Sequence, residues 1–316
     1  MKKPLIVIAG PTACGKTKIS IELAKKTGGE IISADSMQVY KYMDIGTAKV
    51  TKKEMDDIPH YMIDELYPDE KFNVVVFKEK AVSYINDIYL RNKLPIIAGG
   101  TGFYINALVN DNIFMSTNEN EELRKNLYSE AELFGVEYLH NKLKKIDPDA
   151  AASIHPNNIK RVARAIEFYI LTNQRISEHN KIEKNRVSPY NTALFVLNME
   201  RGELYKRIDL RVDIMIENGL LKEVENLINM GYDKNLVSMQ GLGYKEFIPV
   251  LNGEKNLEDA VYELKKSTRH FAKRQLTWFK AQKNAIWVND VDKRDIDDIL
   301  NEILNHCGRI FNGAIL

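Results

Sequence analysis

Residues 10–17 read GPTACGKT, two glycines followed by a lysine and a threonine at a spacing that can hold a phosphate group. Gly10, Gly15, Lys16 and Thr17 fit the pattern G-x-x-x-x-G-K-[ST], with the strand-like LIVIA before it and a helical pattern after it. In such a loop the glycines let main-chain N–H groups turn inward as an anion nest, beside a helix N-terminus whose dipole favours negative charge. Pro11, Thr12, Ala13 and Cys14 complete the turn, Lys16 supplies a mobile cation, and the Thr17 hydroxyl supplies a ligand to Mg²⁺. The pattern predicts binding of a diphosphate or triphosphate and is silent on what happens to it. A kinase or nucleotide hydrolase needs in addition a carboxylate at the end of a neighbouring strand. Asp35, just beyond EIISA, and Asp64, at the end of HYMID, are the candidates. Asp35 is expected nearer the loop, because ligands of doubly wound folds bind at the carboxyl ends of the strands. Asp64 reads as a structural, loop-capping aspartate.

The elements that must carry these residues follow from periodicity. LIVIA (5–9), EIISA (30–34), HYMID (60–64) and PIIAG (95–99) read as strands, and residues 73–92 as a helix with Asn73 as its N-cap. This alternation predicts an α/β fold with a mostly parallel sheet flanked by helices. Beyond residue 118 the strand signal stops, and two long helical patterns follow, with Ile159, Val162, Ile166 and Tyr169 on one face. TALFVLNM (192–199) and AIWVN (285–289) resume the strands. The expected division is a catalytic core of residues 1–117 and 188–316, interrupted by an all-helical subdomain at 118–187.

Bulk properties limit the alternatives. The 316 residues are 44% hydrophobic and 28% charged, an ordinary globular composition. The net charge of +1 gives no global basic field, so a nucleic acid would have to meet a local patch. Two cysteines, Cys14 and Cys307, are too few for a disulfide framework. Lys2 and Lys3 followed by PLIVIAG imitate a secretory leader, but the apolar run breaks at Gly10. No stretch approaches the roughly 18 apolar residues that span a bilayer. A cytoplasmic protein that touches no membrane is expected.

GPTACGKT, ISADSMQVYKYMDIGTAK (32–49), GGTGFY (99–104), MQGLGYKE (239–246) and FAKRQLTWF (271–279) occur in an order that resembles the tRNA dimethylallyltransferase family, bacterial type. The resemblance runs over essentially the whole chain. It implies transfer of a dimethylallyl group from dimethylallyl diphosphate to the exocyclic amine of the adenosine 3′ of a tRNA anticodon, with diphosphate as leaving group. On this resemblance the loop and Lys16 hold the donor's diphosphate, Thr17 holds Mg²⁺, and Asp35 is the general base. Ser36, Met37 and Gln38 meet the target nucleotide, with Gln38 pairing to the edge of a flipped base. Thr101, at the same sheet end, contacts the nucleotide or the diphosphate.

Basic residues supply the local patches. Lys160, Arg161 and Arg164 lie opposite the apolar stripe of their helix, and Lys266, Arg269, His270 and Lys273 repeat at i, i+3, i+4 and i+7. Leu257, Val261, Leu264, Phe271 and Trp278 are expected on the buried side of that second helix. The resemblance assigns contacts with the tRNA anticodon stem-loop to Arg124, Lys160, Arg161, Arg164, Lys273, Arg274 and Gln275. Arg207 and Arg211, which share a helical face, are expected at the diphosphate. Two departures stand out: Cys14 where the family usually has serine, open to alkylation, and Tyr42 where it usually has glycine. A monomer is expected. The competing readings are a small-molecule or nucleoside kinase, an isopentenyltransferase acting on free adenine nucleotides, and a non-catalytic RNA-binding protein.

Overall fold

The computed structural model describes residues 2–114 and 121–313. The chain runs β1 (Lys3–Ala9), α1 (Lys16–Thr27), β2 (Glu30–Ser33), α2 (Lys52–Met55), β3 (His60–Tyr61), α3 (Val74–Leu90), β4 (Pro95–Gly99) and α4 (Gly102–Val109). It continues through α5 (Glu121–Phe134), α6 (Val136–Ile146), α7 (Pro148–Ser153), α8 (Ile159–Thr172) and α9 (Ile176–Lys184). It returns as β5 (Tyr190–Leu197), α10 (Arg201–Glu217), α11 (Leu220–Asn229), α12 (Ile248–Leu251), α13 (Leu257–Lys280), β6 (Ala285–Val288) and α14 (Ile296–Ile310).

The six strands among the described residues join one parallel sheet in the order β3-β2-β4-β1-β5-β6. Both faces are covered, as a parallel sheet requires. Side-chain alternation along β1 shows the sorting: Leu5, Val7 and Ala9 face one core with Phe77, Ile85 and Phe279, whereas Ile6 and Ile8 face the other with Leu23, Ile303 and Cys307. Asn73 caps α3 by accepting from the N–H groups of Val75 and Val76. The strand expected over 60–64 is shorter, because Met62 (φ 64°) and Asp64 (φ 55°) adopt the left-handed conformation and end the pairing after Tyr61. Asp64 is structural there, ion-paired at 2.5 Å to the buried Lys49.

Two compact units result, one of residues 1–109 and 189–316, the other of Asn110–Ser188. The boundary expected at 117/118 lies outside the described residues. The smaller unit packs α5 to α9 around Leu127, Leu139, Leu143, Val162 and Ile166. Within it Arg124 (2.9 Å) and Arg164 (3.0 Å) both pair with Glu167, which is fully buried on α8. Two of the arginines expected to face RNA thus also neutralise an interior carboxylate. Lys160 and Arg161 on the same helix are exposed.

Replacing Asn73 by Ala should destabilise the protein by about 1 kcal/mol, since two N–H groups lose their acceptor. Denaturant unfolding checks this: the midpoint falls while the slope stays unchanged.

Candidate active site

Strand register decides where the chemistry gathers. Ala9 lies opposite Gly99, and Ser33 opposite Ala98, so β1, β2 and β4 finish level with one another. The loops that follow them, 10–15, 34–38 and 100–101, therefore open into one cavity of about 1000 Å³. That volume is ample for a small-molecule ligand. Gly99 makes the closeness possible, because a β-carbon there would collide with the main chain of Ala34.

The phosphate loop has the geometry its glycines predict. Gly10 (φ 148°) and Gly15 (φ 92°) take positive φ, and Ala13 (φ 65°) joins them. Gly10 has no room for a side chain against the Leu197 carbonyl and the Cys14 sulfur. The first N–H groups of α1 have no intrahelical acceptor, and its first turn carries no acidic residue, so the helix end favours an anion. Thr17, exposed on the cavity wall in that first turn, is a hard oxygen donor. No cluster of three His, Cys, Asp or Glu able to hold a metal exists among the described residues. The donor set fits an ion such as Mg²⁺ that takes most of its ligands from phosphate oxygens and water.

Two cations face the loop. The Lys16 ammonium donates to the Pro11 carbonyl (2.6 Å), and Arg211 of α10 reaches the Thr12 hydroxyl (3.4 Å). Burial pulls the Lys16 pKa below the ordinary lysine value; Arg211 adds to the depression, while Cys14 and Asp35 oppose it. Burial likewise lowers Arg211, which remains a cation at any physiological pH. Arg207, one turn earlier, is drawn to Glu203 (3.7 Å) and does not line the cavity. Cys14, expected to be open to alkylation, is only 1% exposed.

Across the cavity, Asp35 turns one carboxylate oxygen onto the Met37 N–H (2.8 Å) and, more weakly, the Gln38 N–H (3.4 Å), an Asx turn that fixes the segment. The Gln38 amide donates to the carbonyls of Thr47 (3.4 Å) and Ala48 (3.2 Å). Asp35 and Gln38 line the cavity, whereas Ser36 and Met37 form the half-buried turn between them. Thr101, half-buried, donates its N–H to the Ala34 carbonyl (3.2 Å) and sits one residue beyond the cavity-lining Gly100.

The α13 helix differs from expectation. Its buried residues are Ala260, Leu264, Ala272, Gln275 and Phe279, with Leu257 38% exposed and Phe271 and Trp278 half-buried. Gln275, expected to face RNA, points inward: it accepts from the Thr12 N–H (2.9 Å) and donates to the Gly100 carbonyl (3.0 Å). It ties the phosphate loop to the glycine loop after β4. Periodicity could not reveal this, because glutamine in a basic helix reads as surface. The one usable signal was its nearness to Trp278, whose ring fills the space a β-carbon on Gly102 would need. On the outer side Arg269 pairs with Asp209 of α10 and Lys265 with Asp213, while Lys266, His270, Lys273 and Arg274 are exposed.

This chain resembles known sequences and structures along nearly its full length. A tRNA dimethylallyltransferase of Lachnoclostridium phytofermentans is 55% identical over 302 residues, 96% of each chain. One of Clostridioides difficile is 47% identical over 305 residues, covering 96% of this chain and 97% of the relative. The crystal structure of a tRNA delta(2)-isopentenylpyrophosphate transferase from Staphylococcus epidermidis superposes with a TM-score of 0.72 at 48% identity, covering 98% of this chain and 99% of that one. A eukaryotic dimethylallyltransferase, captured acting on tRNA, superposes with a TM-score of 0.83 at 33% identity, covering 99% of this chain and 81% of that one. The profile described as IPP transferase matches residues 38–282, more than half of the 316, and the chain belongs to that family.

Proposed function

We propose that this enzyme transfers the dimethylallyl group of dimethylallyl diphosphate to the N6 amine of the adenosine 3′ of a tRNA anticodon, releasing diphosphate. The observation that carries the reading is the meeting, in one cavity, of an anion-binding loop with Lys16 and Arg211 on one wall and Asp35 and Gln38 on the other. Family membership supports transfer of the allyl group over phosphoryl transfer, so the loop grips the leaving group.

In this mechanism the loop amides, Lys16 and Arg211 bind the diphosphate and stabilise its charge as the allylic C–O bond breaks. The Thr17 hydroxyl would hold a Mg²⁺ ion, which would supply further neutralisation of the leaving group. The adenine enters unstacked, because its N6 is out of reach inside an anticodon stack. Gln38 meets its edge, and Asp35 accepts the proton that N6 must shed as the C–N bond forms. Thr101 closes the same sheet end. The exposed Lys160 and Arg161, together with Lys273 and Arg274, provide phosphate contacts for the stem-loop, where they add affinity without sequence information. The enzyme works as a cytoplasmic monomer in this reading.

Asp35→Asn keeps the Asx turn but removes the base, and should lower kcat by roughly 10²- to 10⁴-fold while donor and tRNA affinities hold. Nucleoside mass spectrometry of unmodified tRNA incubated with donor and Mg²⁺ reads this out. A loss of tRNA affinity in a folded variant would count against the assignment.

The depressed Lys16 pKa gives a pH signature. An anionic donor binds best to protonated Lys16, so affinity is full below the free-enzyme pKa of Lys16 and declines as pH rises through it. That decline should set in below the ordinary lysine range, and Lys16→Arg should abolish it. Donor dissociation constants measured across alkaline pH check both statements.

A further inference from the structure

One motif remains unused by this chemistry. MQGLGYKE lies at residues 239–246 and contributes no side chain to the cavity. It packs behind the segment that carries Gln38. The Met37 thioether occupies the space a β-carbon on Gly241 would need. Gly243 (φ 92°) sits against the main chain of Gly46 and donates its N–H to Glu246 (3.0 Å). The Tyr244 ring, fully buried, covers Gly46 so closely that no side chain fits there.

Glu223, half-buried on α11, completes the arrangement. Its carboxylate accepts from three consecutive N–H groups, those of Asp44 (2.9 Å), Ile45 (2.8 Å) and Gly46 (3.0 Å), and from the Tyr244 hydroxyl (2.7 Å). Successive N–H groups turned to one point make an anion nest. Here the protein fills that nest with its own carboxylate, brought from 177 to 179 residues along the chain. On the inner side Lys49 binds Asp44 (2.6 Å) and the Tyr40 carbonyl (2.7 Å), so the turn is clamped from two directions. The next two residues, Thr47 and Ala48, offer the carbonyls that receive the Gln38 amide.

We infer that Glu223, backed by Tyr244, is a positioning residue for base recognition: it fixes the 44–48 turn, whose carbonyls in turn fix the direction of the Gln38 carboxamide. With its NH₂ spent on those carbonyls, Gln38 presents its oxygen, the acceptor that an adenine amine requires and a guanine carbonyl repels. The inference rests on the role of Gln38 proposed above. Glu223 does not line the cavity and acts only through this chain of contacts.

A double-mutant cycle on the full-length enzyme tests it, with kcat/KM for unmodified tRNA and the dissociation constant for dimethylallyl diphosphate as the two readouts. Glu223→Gln should lower kcat/KM for tRNA by roughly 10- to 100-fold. Donor affinity should stay within about twofold, and adding Gln38→Ala should make matters no worse than the more severe single change. Tyr244→Phe keeps the ring over Gly46, drops only the hydroxyl bond, and should move the same readout in the same direction by less. It serves as the test if Glu223→Gln does not fold. The inference is overturned if Gln38→Ala impairs transfer while both other variants match the wild type. Multiplying effects in the double variant, or donor affinity falling in parallel, overturn it equally. If Gln38→Ala alone is harmless, the proposed role of Gln38 fails and the inference falls with it.

Discussion

Three parallel strands must end level, and the reacting groups inherit that constraint. The register pairs Ala9 with Gly99 and Ser33 with Ala98. A slip of one residue would turn every side chain of a strand to the opposite face, forcing the aliphatic rows of the two cores into each other's packing and carrying the loops out of line. The hydrophobic effect thereby holds the loops in place: the free energy that fixes the sheet comes from Leu5, Ile6, Val7 and Ile8, none of which touches the cavity. Gly99 is the point where the constraint meets the site, since the main chain of Ala34 occupies the space of its absent side chain.

Charge is distributed in the same economical manner. The chain is nearly neutral overall, yet Lys16 and Arg211 converge on one helix end whose own dipole points the same way. Elsewhere the basic residues are partly compensated by acids nearby, Arg269 by Asp209 and Arg164 by Glu167. A leaving diphosphate would thus meet a local field much stronger than the molecule's average, without the indiscriminate attraction to nucleic acid that a high net charge brings.

Much of the fold was legible because it is local. The Asn73 cap, the 73–92 helix and all six strands follow from periodicity and end signals within about ten residues of each element. The phosphate loop was legible for the same reason. What sequence reading missed depends on distant partners. Apart from Trp278, nothing near Gln275 announces that it faces inward, and nothing near Arg124 announces Glu167. The left-handed turns at Met62 and Asp64 are equally hidden, because the groups that hold them, Glu65 on the Met62 N–H and Lys49 on the Asp64 carboxylate, carry no glycine signal. Tyr42 was noticed as a departure from the usual glycine, and its φ of 67° supplies the reason that glycine suits the position.

The Gln275 bridge has a bearing on how the enzyme is made. The Thr12 N–H finds its acceptor 263 residues later in the chain. At ribosomal rates of roughly 5–20 residues per second, on the order of 13 to 53 s separate the emergence of the two ends of that bond. Through this interval the phosphate loop exists without the residue that locks it, and β1 without its β5 neighbour. The nascent chain is thus held back from assembling a finished phosphate loop until α13 has been synthesised. Completion of the loop is a late event in the life of each molecule, timed by translation itself.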